Sequence, residues 1–412
     1  MKECSSSLLL PKALELDGET LAAFYQPIIA MDTRRIMGYE VLARAVKGDS
    51  VRSLGPFFCN EQIPEEDHII VDRVIRELAF SKLALMEEEQ PMLFINLKPS
   101  WIYRYEEIGE LYTLSLLDKY GIDPKRIVIE ITEESFQGSM DRLRSVVDIY
   151  RARGCLIAID DVGSGFSNTD RIAHIQPNLL KIDIHMIKKS ATHDGYFGVL
   201  RSFSDLAEQI GASLLVEGVE TREDLARAIQ AGARYVQGYM FAKAEPEFRE
   251  PACFASLIEA ELDQHLLHFV GTERYWQRQS EKLAEQWVAL VQETRYLDHE
   301  DEWIEGLLPE LYDHCIRVYL CNESGIQLSS NYYRDADKAW RREEQYRGAN
   351  WCWRPYFVPN LVQLNEHRRA IVSRAYTDLD SHAWIRTVSV LAAPGLILLM
   401  DLKDSERGAQ RL

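Results

Sequence analysis

Between residues 126 and 218 the chain reads RIVIEIT (126–132), CLIAID (155–160), NLLKID (178–183) and ASLLVEG (212–218). Each is a short block dominated by Ile, Leu and Val, as a strand buried on both faces should be. The segments SMDRLRSVVDIYRARG (139–154) and LRSFSDLAEQIG (200–211) are longer and amphipathic, which predicts helices. Strand alternating with helix predicts a parallel sheet. Upstream, FYQPIIA (24–30), IMGYEVLA (36–43) and MLFINL (92–97) are runs of the same kind, and RYVQGYM (234–240) follows downstream. About eight such units predict an α/β fold of the TIM (β/α)8 barrel type.

One gap departs from that rule. Only residues 31–35 separate the first two runs, whereas a parallel crossover needs roughly a dozen residues or more. These two strands are expected to pair antiparallel, giving an irregular barrel with one antiparallel strand. The reversal is assigned to the second run, which carries Glu40.

Five of the runs contain a polar residue that a buried strand should avoid: Glu40, Asn96, Glu130, Asp160 with Asp161, and Glu217. All but Glu40 lie at or near the C-terminal end of their strand, where barrels of this kind build active sites. Glu40 lies within its strand and meets the same face if that strand is reversed. A single acid at a strand-to-helix turn serves as a helix cap, but caps need not recur on strand after strand. Converging carboxylates cannot all stay ionised in a dry pocket without cations. Oxygen donors with one amide suit Mg²⁺ or Mn²⁺, and the lack of a strand-end His or Cys argues against zinc. Lys181 adds a positive charge at the same rim. Acids and a lysine on two metal ions form an arrangement that cleaves phosphodiesters.

The chain has 412 residues, 46% hydrophobic and 27% charged, with a formal net charge of −18. That length predicts two or three domains. The acidity argues against a nucleic-acid polymer as partner, because such binding rests on basic patches. The seven cysteines form no CxxC pair and read as free thiols. Nothing in residues 1–12 reads as a signal peptide, and no run reaches the ~18 apolar residues of a membrane span. A cytoplasmic protein without a membrane span is expected.

After Pro251 the pattern changes. Residues 254–298 contain no proline and predict one long helix. Leu262, Leu266, Phe269, Trp276, Leu283, Trp287, Leu290 and Leu297 follow alternating steps of four and three. Two readings stand: a coiled-coil-like seam and a helix packed on its own barrel. Beyond Pro309, CIRVYLCNESGIQLSS (315–330) and WIRTVSVLAAPGLILLMDL (384–402) predict an antiparallel sheet in a separate α+β domain. The expected division is a barrel over 1–250, a connecting helix over 251–299 and a second domain over 300–412.

Glu40-Val41-Leu42 with Arg44, Tyr25-Gln26-Pro27-Ile28, Ile95-Asn96-Leu97, Glu130-Ile131-Thr132-Glu133, Asp160-Asp161-Val162-Gly163-Ser164-Gly165, Leu180-Lys181-Ile182-Asp183, Val216-Glu217-Gly218-Val219-Glu220 and Gln237-Gly238-Tyr239 stand in this order. Over about residues 20–248 the chain resembles the EAL-domain cyclic di-GMP phosphodiesterases, which hydrolyse that second messenger to the linear dinucleotide pGpG. The resemblance implies Glu40, Asn96, Glu130 and Asp160 as ligands of one metal, with Asp160 and Asp161 serving a second. It implies Lys181 as the group that orients water or stabilises phosphate charge, and Glu217 as general base. Glu133 would hold the loop over residues 161–168 in shape, and Gln26, Leu42, Arg44 and Gln237 would contact substrate. The sequence departs from the family at Val41, Ala45, Val162, Ser164, Phe166 and Asn168, and the loop changes imply slow turnover. A catalytically silent receptor for cyclic di-GMP is the rival reading, which loss of a metal ligand or of Glu217 would mark.

The C-terminal stretches Trp353-Arg354-Pro355-Tyr356-Phe357, Ala375-Tyr376-Thr377-Asp378 and Ile385-Arg386-Thr387-Val388-Ser389-Val390 resemble PAS/Cache-like sensor folds. That likeness implies a small-ligand pocket at Arg354, Tyr356 and Asp378. The other reading makes the domain a structural or dimerisation module with core aromatics. By analogy with EAL relatives a homodimer is expected.

Overall fold

The computed structural model describes residues 11, 14, 16, 18–86, 90–101, 111–131, 139–163, 169–190, 192–293, 299–334, 337–366 and 370–404. The chain divides into two compact units, Met1–Leu266 and Leu267–Leu412. Among the described residues no helix is long and apolar enough to cross a membrane.

The first unit is a closed barrel of eight strands: β1 (Thr20–Ala30), β2 (Arg35–Lys47), β4 (Met92–Leu97), β5 (Ile127–Ile131), β6 (Leu156–Val162), β7 (Leu179–Ile182), β8 (Ser213–Val216) and β9 (Tyr235–Gln237). The short strand β3 (Ser50–Ser53), exposed throughout, hangs on the far end of β2. No apolar periodicity marks it, and the sequence reading missed it.

The antiparallel strand is β1, not β2. β1 pairs antiparallel with both neighbours, β2 and β9, whereas β2 runs parallel to β4. The short gap between the first two runs requires opposite directions but does not say which strand is reversed. The long connection from β2 to β4 decides it, because β3 and the helices α1 (Gly55–Phe58) and α2 (Glu65–Ala84) supply enough chain for a crossover. Glu40 therefore sits on a strand running with the barrel, and the expected reversal of its strand is corrected.

Helices α3 (Tyr112–Tyr120), α4 (Met140–Arg153), α5 (Thr169–Ile175), α6 (Ile184–Ser190), α7 (Asp194–Ile210) and α8 (Arg222–Gln230) separate the later strands. In α4 the buried residues are Leu143, Val147 and Tyr150, the spacing of one helical face. Thr221 and Asp224 form a capping box that starts α8, satisfying N–H groups the first turn would otherwise leave bare. The strands' outward residues and these helical faces make one large core. A second, smaller cluster fills the barrel: Ile28, Phe94, Val128, Ala158, Leu179 and Leu215.

Helix α9 (Ala255–Glu293) crosses the division at Leu266. The residues of its apolar seam do not share one fate. Leu262 packs on the first unit's core, and Leu283, Trp287 and Leu290 on the second's. Leu266 and Phe269 are exposed, and Leu297 lies outside the described residues.

The second unit is built on an antiparallel sheet in the order β12 (Trp340–Glu343), β11 (Asn331–Arg334), β10 (Cys315–Asn322), β16 (Leu396–Lys403), β15 (Trp384–Ala393) and β13 (Ala370–Val372), with β14 (Tyr376–Thr377) also on β15. Alternation along β10 sends Val318 and Leu320 to one core and Tyr319 and Cys321 to another, as period-two geometry requires. The first core includes Trp303 and Ile304 of α10 (Glu300–Leu307), and the second includes Phe357 and Leu364 of α11 (Phe357–Glu366).

Candidate active site

Side chains on one face of a strand recur every second residue, and this rule builds the site. Phe94, Val128, Ala158, Leu179 and Leu215 form the apolar plug inside the barrel. Two residues further along their strands stand Asn96, Glu130, Asp160, Lys181 and Glu217. Gln237 follows Tyr235, which packs against the same plug. On reversed β1 the order inverts, so that Gln26 comes two residues before the plug residue Ile28. On β2, Gly38 stands two residues before Glu40. A Cβ at Gly38 would lie 2.6 Å from the carbonyl oxygen of Met92, so only glycine fits there. The polar layer thus rests on an apolar floor at the barrel's C-terminal mouth.

Lys181 is the centre of that layer. Its side chain is 0% exposed, and its Nζ lies 2.7 Å from Glu130 Oε1, 3.1 Å from Asp160 Oδ1 and 3.2 Å from Glu217 Oε1. Glu40 joins from the far side: its Oε1 accepts from Asn96 Nδ2 at 3.4 Å and its Oε2 from Gln237 Nε2 at 2.6 Å. Asp161 has φ +57°, in the left-handed region, and its backbone N–H donates to Asp160 Oδ1 at 2.9 Å.

The charges do not balance with one ammonium. Burial pushes the Glu130 carboxyl well above the usual range, against the pull of Lys181 and with repulsion from Glu40 and Asp160 adding to it. Burial likewise raises Glu217. Burial also works against ionised Asp160, but Lys181 and a hydrogen bond with Glu217 outweigh it and hold that carboxyl low. Desolvation opposes the Lys181 charge, yet Asp160, Glu130 and Glu217 hold its pKa well above that of a free lysine. Burial thus favours the neutral forms of Glu130 and Glu217, which lessens the surplus negative charge.

A divalent cation would do the same work, and the donors suit one. Glu130 Oε1 and Glu217 Oε1 are met by the Lys181 ammonium, whereas Glu130 Oε2 is buried without a hydrogen bond, which such groups rarely tolerate. Carboxylate oxygens with the Asn96 amide are ligands for Mg²⁺, Mn²⁺ or Ca²⁺. Among the described residues no three acidic, His or Cys side chains are gathered tightly enough to grip an ion; they converge on the Lys181 ammonium instead. The residues fit a cation in chemistry, and the side chains would have to close around it.

Arg44 lies on the same face of β2 as Glu40 and Leu42, with NH1 2.9 Å from its neighbour's carbonyl, Ala43 O, and 3.4 Å from Ser53 Oγ. Gln26, opposite Glu40 in the β1–β2 register, donates to Ala242 O at 3.3 Å. Glu133 and residues 164–168 lie outside the described residues.

In the second unit the Arg354 guanidinium lies 5.2 Å from the Trp353 ring centroid, 5.7 Å from that of Tyr356 and 5.1 Å from that of Tyr376. Tyr356 shares a hydrogen bond of 2.9 Å with Tyr319. Asp378 is held by Arg317 at 2.9 Å and by Ser381 Oγ at 2.7 Å. Sequence reasoning did not single out Arg317, which also reaches Asp401 at 2.9 Å and Asp380 at 2.8 Å. Its lone charge between alternating apolar residues of β10 was the available signal.

Known proteins carry the same arrangement of parts. The EAL domain family matches residues 10–244, and the EAL-domain associated signalling protein domain matches residues 252–405. The uncharacterized EAL-domain containing protein YkuI of Bacillus subtilis (strain 168) is 35% identical over 393 residues, 93% of this chain and 94% of YkuI. The cyclic di-GMP phosphodiesterase RocR of Pseudomonas aeruginosa is 32% identical over 238 residues, 56% of this chain and 59% of RocR. The crystal structure of B. subtilis YkuI with substrate c-di-GMP and calcium has a TM-score of 0.87 at 32% identity, covering 94% of this chain and 96% of that one. By its barrel, its strand-end acids and these matches, the chain belongs to the EAL-domain family.

Proposed function

We propose that this chain binds cyclic di-GMP and, with two Mg²⁺ or Mn²⁺ ions, hydrolyses one phosphodiester bond to give the linear dinucleotide. The observation that carries this reading is the Lys181 ammonium set between Glu130, Asp160 and Glu217 at one barrel mouth. RocR's activity and the substrate in the YkuI crystal support the choice of nucleotide.

Glu40, Asn96, Glu130 and Asp160 would hold one cation, and Asp160 with Asp161 the second. When bound, the cations supply Lewis acidity that acidifies water and neutralises phosphate charge. Glu217 takes the proton of the attacking water as its oxygen bonds to phosphorus. Lys181 Nζ donates toward the charge that grows on the phosphate oxygens. The P–O bond to the ribose breaks, and its oxygen leaves as a hydroxyl with a proton from solvent, to which Glu217 later returns the one it accepted. Arg44 is placed to bind a phosphate, which its planar fork suits, with Leu42 on the same face of β2 and Gln26 opposite Glu40 as further substrate contacts. Glu133 keeps the loop-holding role that the family motif gives it.

The expected result with purified full chain, cyclic di-GMP and either ion is a linear dinucleotide product, read by chromatography. Nucleotide binding without product under both ions would instead make the chain a silent receptor.

The second unit is assigned a regulatory role, with a small ligand near Arg354, Tyr356 and Asp378 and a homodimer as its setting. A ligand changes the rate only by binding two states of the barrel unequally. A chain ending at Leu266 keeps Ile258 in the barrel core and should differ from the full chain in rate, nucleotide affinity or oligomeric state. Identical values for all three would defeat the regulatory role.

A further inference from the structure

The family motif puts Gln237 among the substrate contacts; the geometry points to a different task. We infer that Gln237 is a positioning residue that clamps Glu40 in the orientation needed to ligate a divalent cation. The inference rests on the metal-centre reading above.

Gln237 is 3% exposed, and its Nε2 lies 2.6 Å from Glu40 Oε2. Only a donor can sit that close to a carboxylate oxygen, so the chemistry fixes which amide atom faces Glu40. The same carboxylate takes Asn96 Nδ2 on its other oxygen at 3.4 Å, so an amide reaches each oxygen and fixes the carboxylate plane. The Gln237 backbone is itself pinned. It pairs with Ile28 of β1, and its carbonyl accepts from Val219 N at 2.9 Å. At the next residue, Gly238, any Cβ would lie 2.1 Å from Val219 O. The amide therefore projects from a fixed point, whereas Glu40 alone could rotate. Groups that orient a metal ligand in this way typically govern affinity by about 10–100-fold.

The test is calorimetric titration of the nucleotide-free full chain with Ca²⁺, followed by rates at varied Mn²⁺. Gln237→Met keeps the shape and removes the donor; Gln237→Asn keeps the amide but withdraws it from reach. Both should weaken Ca²⁺ binding by about 10–100-fold and raise the half-saturating Mn²⁺ concentration, with KM for cyclic di-GMP at saturating Mn²⁺ unchanged. A substrate contact would instead raise KM and leave cation binding intact, which overturns the inference alone. If the unsubstituted chain binds no divalent cation, the metal-centre reading and this inference fall together.

Discussion

Replacing Lys181 by methionine is expected to abolish turnover and to lower the melting temperature at neutral pH. The ammonium is wholly buried within 3.2 Å of Glu130, Asp160 and Glu217. Removing one partner of a buried ion pair costs roughly 3–5 kcal/mol, mostly because the other charge is left without compensation. Here the carboxyls can take up protons, and the sign of the pH effect follows. Lys181 has a raised pKa in the folded chain, so its contribution is present throughout the neutral range and is lost only above the usual lysine range. Glu130 and Glu217 are also raised, so the folded state holds protons that the unfolded chain releases. Acidification therefore favours the fold of the variant, and its deficit should shrink as pH falls from neutral toward the ordinary glutamate range. Thermal melts of both proteins across that interval make the check. Divalent cations should recover part of the loss in the variant, since they supply the missing positive charge. Equal melting temperatures at neutral pH would mean that Lys181 does not hold the acids together.

Much of this site was legible because strand geometry imposes a period of two. An acid or amide in an apolar run stands out, and Asn96, Glu130, Asp160, Lys181 and Glu217 all fall two residues beyond a plug residue. Strand direction was not legible at the first hairpin. Glu40 was placed on a reversed strand, whereas β1 is the reversed one and carries Gln26 into the same layer. A gap length fixes relative direction only; the absolute choice belongs to crossovers elsewhere. The contact between Glu40 and Gln237 joins residues 197 apart in sequence, and no local pattern encodes it. The seam of α9 carries a related lesson. One apolar periodicity serves two cores, with Leu262 packed on the first unit's core and Trp287 buried in the second's, while Leu266 and Phe269 between them are exposed.

Glu217→Gln should reduce turnover by about 10²–10⁴-fold, the usual contribution of a positioned general base, while leaving nucleotide binding nearly intact. Glu217 directly follows β8, and its backbone N–H donates to Ile182 O at 3.0 Å, so the side chain starts from a fixed point. Its side chain is 23% exposed where that of Lys181 is fully buried, so water can reach it. Burial raises its carboxyl well above the usual range, and a more basic carboxylate is the better proton acceptor once ionised. Glutamine matches the size of glutamate and can still occupy the space beside Lys181, but it accepts no proton. The fold should tolerate the change, because Glu130 and Asp160 continue to hold Lys181 at 2.7 and 3.1 Å. Loss of the rate therefore isolates proton transfer from stability. Single-turnover assays of parent and variant, with nucleotide affinity and melting temperature measured on the same samples, separate the outcomes. A variant that cleaves cyclic di-GMP at close to the parental rate would take Glu217 out of the base role and leave proton removal to another carboxylate of the layer, with Asp160, held ionised by Lys181, next to be tested.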